Sequence, residues 1–133
     1  GVIEFTKNDL RNIVYPYSRI SSIVNIFKNE GLDIDDLEDF SVECLDGPLE
    51  QEIIKKILGF KEAVINAVNQ NQPYKFIKYA NELYELFYKI NASTLYRQLS
   101  REKLIALLKL LSSVKIVFKE ILTILELPAL DKM

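Results

Sequence analysis

Between Leu104 and Leu125 this chain is apolar on nearly every side, and that stretch limits the folds open to it more than any other. Leu104, Leu107, Leu108, Leu111, Val114, Phe118, Ile121, Leu122 and Leu125 repeat at helical spacing. Ile105, Leu110, Ile116 and Val117 widen the stripe almost to a full circle. A helix that apolar must be surrounded by other elements, so it is expected at the centre of a bundle. Lys109 and Lys115 interrupt its most apolar run, which is too short to span a bilayer. Four glycines and four prolines in 133 residues leave few turns, which favours long helices over many short strands. The expectation is an all-α bundle of about four to six helices in a single domain, 1–133, with a long central C-terminal helix.

Punctuation along the chain divides the rest. The first helix is expected from about Asn8 to Glu30, bent near Pro16 and stopped by Gly31. An acidic connection follows from Leu32 to Asp46, with a short helix around Asp35–Phe40. Pro48 and Glu50 suit a second helix start, and Ile53, Ile57, Phe60, Val64 and Ala67 form its stripe. Pro73 opens a third, with Phe76, Ala80, Leu83, Phe87 and Ile90 on one face. Residues Asn91–Thr94 read as a loop. Ser100 is placed to cap the last helix, expected to run to about Leu127 before Pro128. There is no internal repeat and no low-complexity tract.

Catalytic chemistry finds little footing here. No histidine is present, which removes histidine-based triads and imidazole metal ligands. Glycines at 1, 31, 47 and 59 are too scattered for a phosphate-cradling loop. Asp33, Asp35 and Asp36 lack the glycine and terminal glutamate of a calcium loop. Cys44 stands alone and points to a reducing, cytoplasmic setting. No cofactor, metal or membrane is expected. A chain opening on Gly1 is expected to be a piece of something larger or to carry a scar of tag removal.

Binding is better supported. The net charge of −2 conceals ten acids and no base over residues 30–52, then twelve bases against four acids over 53–119. A basic face in an acidic chain suits a polyanionic partner. In the first helix, with Ile13 at zero, Tyr17, Ile20, Val24 and Phe27 fall within about 40° of one another's mean, facing the core. Tyr15, Arg19 and Ser22 fall roughly 180–240° away. A ring beside a guanidinium on an outward face can stack on and hydrogen-bond a flat, unpaired ligand. Alternatively, Tyr15 packs on a neighbouring helix while Arg19 pairs with a carboxylate. Tyr88 sits on the shoulder of the third helix's stripe, where a ring can rest on the core with its hydroxyl wet.

Four segments, in order, resemble the helical anticodon-binding domain at the C-terminus of arginyl-tRNA synthetases, of the DALR type. Tyr15-Pro16-Tyr17-Ser18-Arg19-Ile20-Ser21-Ser22-Ile23 is similar to that family's Tyr-Ala-His-Ala-Arg-Ile-x-Ser-Ile. Glu50, Ile53, Ile57 and the run Phe60-Lys61-Glu62-Ala63-Val64 follow its Glu-x-x-Leu-x-x-x-Leu-x-x-Phe-Pro-Glu-x-Val. Pro73, Phe76, Tyr79-Ala80 and Glu82-Leu83 lead into Phe87-Tyr88 as the family's third helix does. The tail from Leu122 to Met133 is similar to a Leu-x-Leu-Leu-Gly terminus ending in methionine. The departures are Tyr17 for the family histidine, Val14 for a glutamine, Asn12 for a frequent aromatic, Lys103 for an arginine and Glu126 for a glycine.

The resemblance implies that Tyr15, Arg19, Tyr88 and Met133 gather around anticodon-loop bases of a tRNA. It further implies that Lys89, Arg97, Arg101 and Lys103 hold phosphates, which positions the loop without specifying it. The full enzyme would attach arginine to its tRNA using ATP on a catalytic domain outside this chain, acting as a monomer. That domain's His-Ile-Gly-His type signature has no place here, since histidine is absent. The alternatives are a helical protein-interaction or oligomerisation domain, marked by a large contiguous apolar patch, and the related anticodon domain of another synthetase.

Overall fold

The computed structural model describes residues 6–72 and 74–131, with side chains to Leu125. Among these residues are five helices and no strand: α1 (Lys7–Asn29), α2 (Pro48–Leu58), α3 (Phe60–Asn69), α4 (Tyr74–Ala92) and α5 (Arg101–Asp131). Short 3₁₀ turns stand at Ile34–Asp36, Val42–Cys44 and Tyr96–Gln98. The all-α bundle with a long last helix is what the apolar spacing predicted.

α5 is the centre. Leu107, Leu108, Leu111, Val114, Phe118 and Ile121 are fully buried, while Ile116 is exposed. α1 lies antiparallel to it: Phe27 shares a cluster with Leu104 and Leu108, and the Lys115 ammonium lies over the Tyr17 ring. The buried face of α1 is wider than its predicted stripe, because Pro16 and Ile23 are buried beside Ile13, Ile20 and Phe27. Ile23 joins Phe27 in a cluster with Leu32, Ile34, Leu104 and Leu108, and α4 also packs against α1.

Local chemistry sets the ends. The Thr6 hydroxyl accepts from the Asp9 N–H, and the Asp9 carboxylate accepts from the Thr6 N–H, a reciprocal cap at the start of α1. α1 closes at Gly31, whose φ of +99° a side chain would resist, and the Leu32 N–H reaches back to the Phe27 carbonyl at 2.8 Å. Ser100 caps α5 by accepting from the Lys103 N–H at 3.2 Å.

Four expectations need correction. The second predicted helix is two helices, broken at Gly59. The Gly59 N–H is shared between the Lys55 and Lys56 carbonyls, which tightens and ends α2, and its own carbonyl starts α3 by accepting from Ala63. α4 extends through Asn91 and Ala92, and the hydroxyls of Ser93 and Thr94 donate back to its last carbonyls. The short helix expected at Asp35–Phe40 is replaced by two 3₁₀ turns, pinned by buried Ile34 and Leu45. α5 also continues through Pro128 to Asp131, as α1 continues through Pro16, each proline removing one donor from the ladder without ending the helix.

Two tyrosines tie the elements together. Tyr79 donates to the Lys56 carbonyl at 2.6 Å, joining α4 to α2, and Tyr96 donates to the Asn91 side chain at 2.8 Å. Burial raises the pKa of both phenols above the ordinary 10.0, Tyr96 being pushed up to about 12. The folded state therefore holds these protons more tightly than the unfolded chain. Stability from them is complete below about pH 10 and declines as pH rises through 10 to 12. The melting temperature of the Tyr79→Phe, Tyr96→Phe double variant is expected to fall less steeply across that window, measured by circular dichroism.

Candidate nucleic-acid interface

A single amide pair sets the register of α1 against α4. The Asn12 amide donates to the Asn81 carbonyl oxygen at 2.8 Å, and the Asn81 amide donates onward to Asp9 at 3.1 Å. Beyond the far end of α4, Phe27 meets Tyr96, with ring centroids 6.5 Å apart. The two helices therefore run parallel.

From the Asn12–Asn81 bond, three residues along each helix reach Tyr15 and Tyr84, and seven reach Arg19 and Tyr88. Seven residues are nearly two whole turns, so Arg19 and Tyr88 stay within about 20° of the directions in which the two asparagines meet. They stand level on one seam, about 10 Å from the amide pair. Tyr15 is 46% exposed and Tyr88 56%, so the seam is open to solvent. Tyr84 is half-buried against Tyr88, ring centroids 6.2 Å apart and tilted 37°. Arg19 is exposed and has no carboxylate within ion-pair distance among the described residues. Its charge reaches Tyr96, where it works against the rise in that phenol's pKa caused by burial.

The other residues implied by the resemblance are dispersed. Arg97 lies past the end of α4, its guanidinium paired through both nitrogens with Glu30 at 2.7 and 2.8 Å and set over the Phe27 ring. That pairing keeps the Glu30 carboxyl below the usual range. Lys89 is exposed about 100° around α4 from Tyr88, on a groove shared with α2 and α3 where Glu52, Glu62, Glu82 and Glu85 gather. Arg101 is exposed in the first turn of α5. Lys103 is engaged in the fold, donating to the Glu50 carboxylate and the Cys44 carbonyl. Met133 lies outside the described residues.

Sequence reasoning overlooked Tyr84 and Asn81, and named Asn12 only as a departure from the family. Tyr84 carried a signal, being one turn before Tyr88 on the same helix face. Asn12, which stands where the family often has an aromatic, is here the residue that sets the helix register.

A family model described as the DALR anticodon binding domain matches residues 13–133. The arginine–tRNA ligase of Moorella thermoacetica is 27% identical over 126 residues, covering 95% of this chain and 22% of that protein. Its counterpart in Ruminiclostridium cellulolyticum is 24% identical over 133 residues, 100% of this chain and 24% of the relative. A Listeria monocytogenes arginine–tRNA ligase is 28% identical over 127 residues, 95% and 22% respectively. The chain thus spans less than a quarter of the length of these curated relatives. No solved structure gives a significant match. With a match extending from Ile13, at the root of the seam, to the last residue, the chain belongs to the DALR anticodon binding domain family.

Proposed function

We propose that this chain reads the anticodon loop of a tRNA as the non-catalytic module of an arginine–tRNA ligase. The observation that carries the reading is the seam itself. Tyr15 and Arg19 on α1 and Tyr88 on the parallel α4 are all exposed to solvent, and no carboxylate among the described residues pairs with the guanidinium. Unpaired bases of an RNA loop splay onto aromatic planes and guanidiniums. Each such stack contributes about 1–3 kcal/mol. Arginine activation with ATP would take place on a domain outside this chain, in the cytoplasm.

The surface supports this over a docking domain. Among the described residues, exposed apolar side chains such as Val14, Leu58, Val68, Leu95 and Ile116 are spread over four helices and a connection. No helix of the described residues is long and apolar enough to cross a membrane.

Arg19→Ala and Tyr88→Ala are each expected to weaken binding of the anticodon stem–loop by about 5- to 100-fold. Filter titration at two salt concentrations, against loops with the anticodon changed, is the measurement. Salt sensitivity without dependence on the anticodon would mean charge attraction alone and would end the proposal. Unchanged binding by a stably folded double variant would end it as well.

A further inference from the structure

Beyond the seam the same line continues into a groove. Seven residues on from Arg19 and Tyr88 come Ile26 and Leu95, which are 41% and 65% exposed. Together with Phe27 and Tyr96 they wall a groove of about 360 Å³, and Arg19 and Arg97 stand among its lining. Among the described residues no carboxylate lines it, and Glu30 reaches it only through Arg97. The volume lies within the range of small-ligand sites.

We infer that this groove takes a second unpaired nucleobase, from the same RNA strand whose bases stack at Tyr15 and Tyr88. The inference rests on the proposed anticodon reading and extends it by one subsite. Four observations select that occupant. Arg19 belongs to both the seam and the groove, so a strand held at one is already at the mouth of the other. The walls are apolar and aromatic, which suits the face of a base, while the Arg19 guanidinium suits a phosphate beside it. Glu30 grips Arg97 through both nitrogens, which holds the guanidinium plane over the Phe27 ring instead of letting it sweep through solvent. Tyr96 keeps its proton at neutral pH and is tied to Asn91, so it presents no negative charge to RNA.

The groove also explains two exposed aliphatic side chains. Leu95 sits in the connection between α4 and α5, and Ile26 faces it from α1. Without a ligand both leave apolar surface in water; a base laid between them removes it.

The test uses this chain and anticodon stem–loop RNAs in which one loop nucleotide at a time is made abasic. The variants are Leu95→Ser, which removes apolar surface without adding charge, and Tyr88→Ala. Leu95 is well exposed, so thermal melting of its variant is expected to match the parent. The unaltered chain is expected to lose affinity at two or more separate abasic positions. Leu95→Ser should weaken the intact loop by roughly fivefold to tenfold and abolish the abasic penalty at one position only. Tyr88→Ala should abolish it at a different position. If Leu95→Ser binds the intact loop like the parent while Tyr88→Ala still weakens it, the groove holds no base and the seam stands without it; a protein segment as the groove's occupant would give that result. A loss through Leu95→Ser that is equal for every loop, with all abasic penalties retained, overturns the subsite too. If Tyr88→Ala and Arg19→Ala are without effect, the anticodon reading falls and the groove with it.

Discussion

Phe87→Ala is expected to remove about 3–5 kcal/mol of stability, while the same truncation one residue later, Tyr88→Ala, changes it by less than about 0.5 kcal/mol. The two rings are neighbours in sequence and opposites in environment. Phe87 has no exposed surface and packs in the main core with Leu83, Leu107, Leu111 and Val114. Its removal leaves a cavity that a close-packed centre around α5 cannot refill. Against a usual domain stability of about 5–15 kcal/mol, that loss leaves the fold marginal. Tyr88 rests on Tyr84 with its outer surface wet, so its loss opens no cavity. Urea denaturation of both variants decides the matter. A Phe87→Ala cost under about 1 kcal/mol would show that the core is looser than its burial implies.

Lys103→Ala is expected to destabilise the chain by about 2–3 kcal/mol, an effect out of proportion to a lysine at a helix start. Glu50 is 8% exposed as a residue, and its carboxylate serves two partners, the Gly47 N–H at 2.9 Å and the Lys103 ammonium. Lys103 also donates to the Cys44 carbonyl, so one ammonium ties α5 to the start of α2 and to the acidic connection before it. Removing it strands a carboxylate with little access to water. Glu50→Gln with Lys103→Met should recover part of the loss, because the pair then leaves no charge behind. A double-mutant cycle on denaturation midpoints measures the coupling, expected at about 1–3 kcal/mol. Any fall in RNA affinity of Lys103→Ala should follow its folded fraction, whereas Tyr88→Ala should lower affinity in fully folded protein.

Lys103 also shows where reading from sequence ran short. Composition marks it as one base among twelve in a basic stretch, indistinguishable from Lys89 or Arg101. The fold separates them: Lys103 faces a buried carboxylate, Arg97 faces Glu30, and Lys89 lies on another flank of α4 among acids. A charge has no periodicity of its own, so its role depends on what the fold brings opposite it. Gly59 is a related case. A stripe continuing from Ile53 to Ala67 spoke for one helix, but a residue with the weakest hold on helical backbone parted it into two.

The helical class, the central last helix and the outward face of Tyr15 and Arg19 were all legible in the chain, because each depends on side chains within one or two turns of one another. Such spacing is local, and the 3.6-residue period converts it directly into faces. The alignment of Arg19 with Tyr88 was implied by the family resemblance alone and not by any local spacing. It rests on an amide pair 69 residues apart and on parallel packing of α1 with α4. Nothing local encodes which turn of one helix stands beside which turn of another; that is settled when apolar surfaces close on each other and buried polar groups find partners.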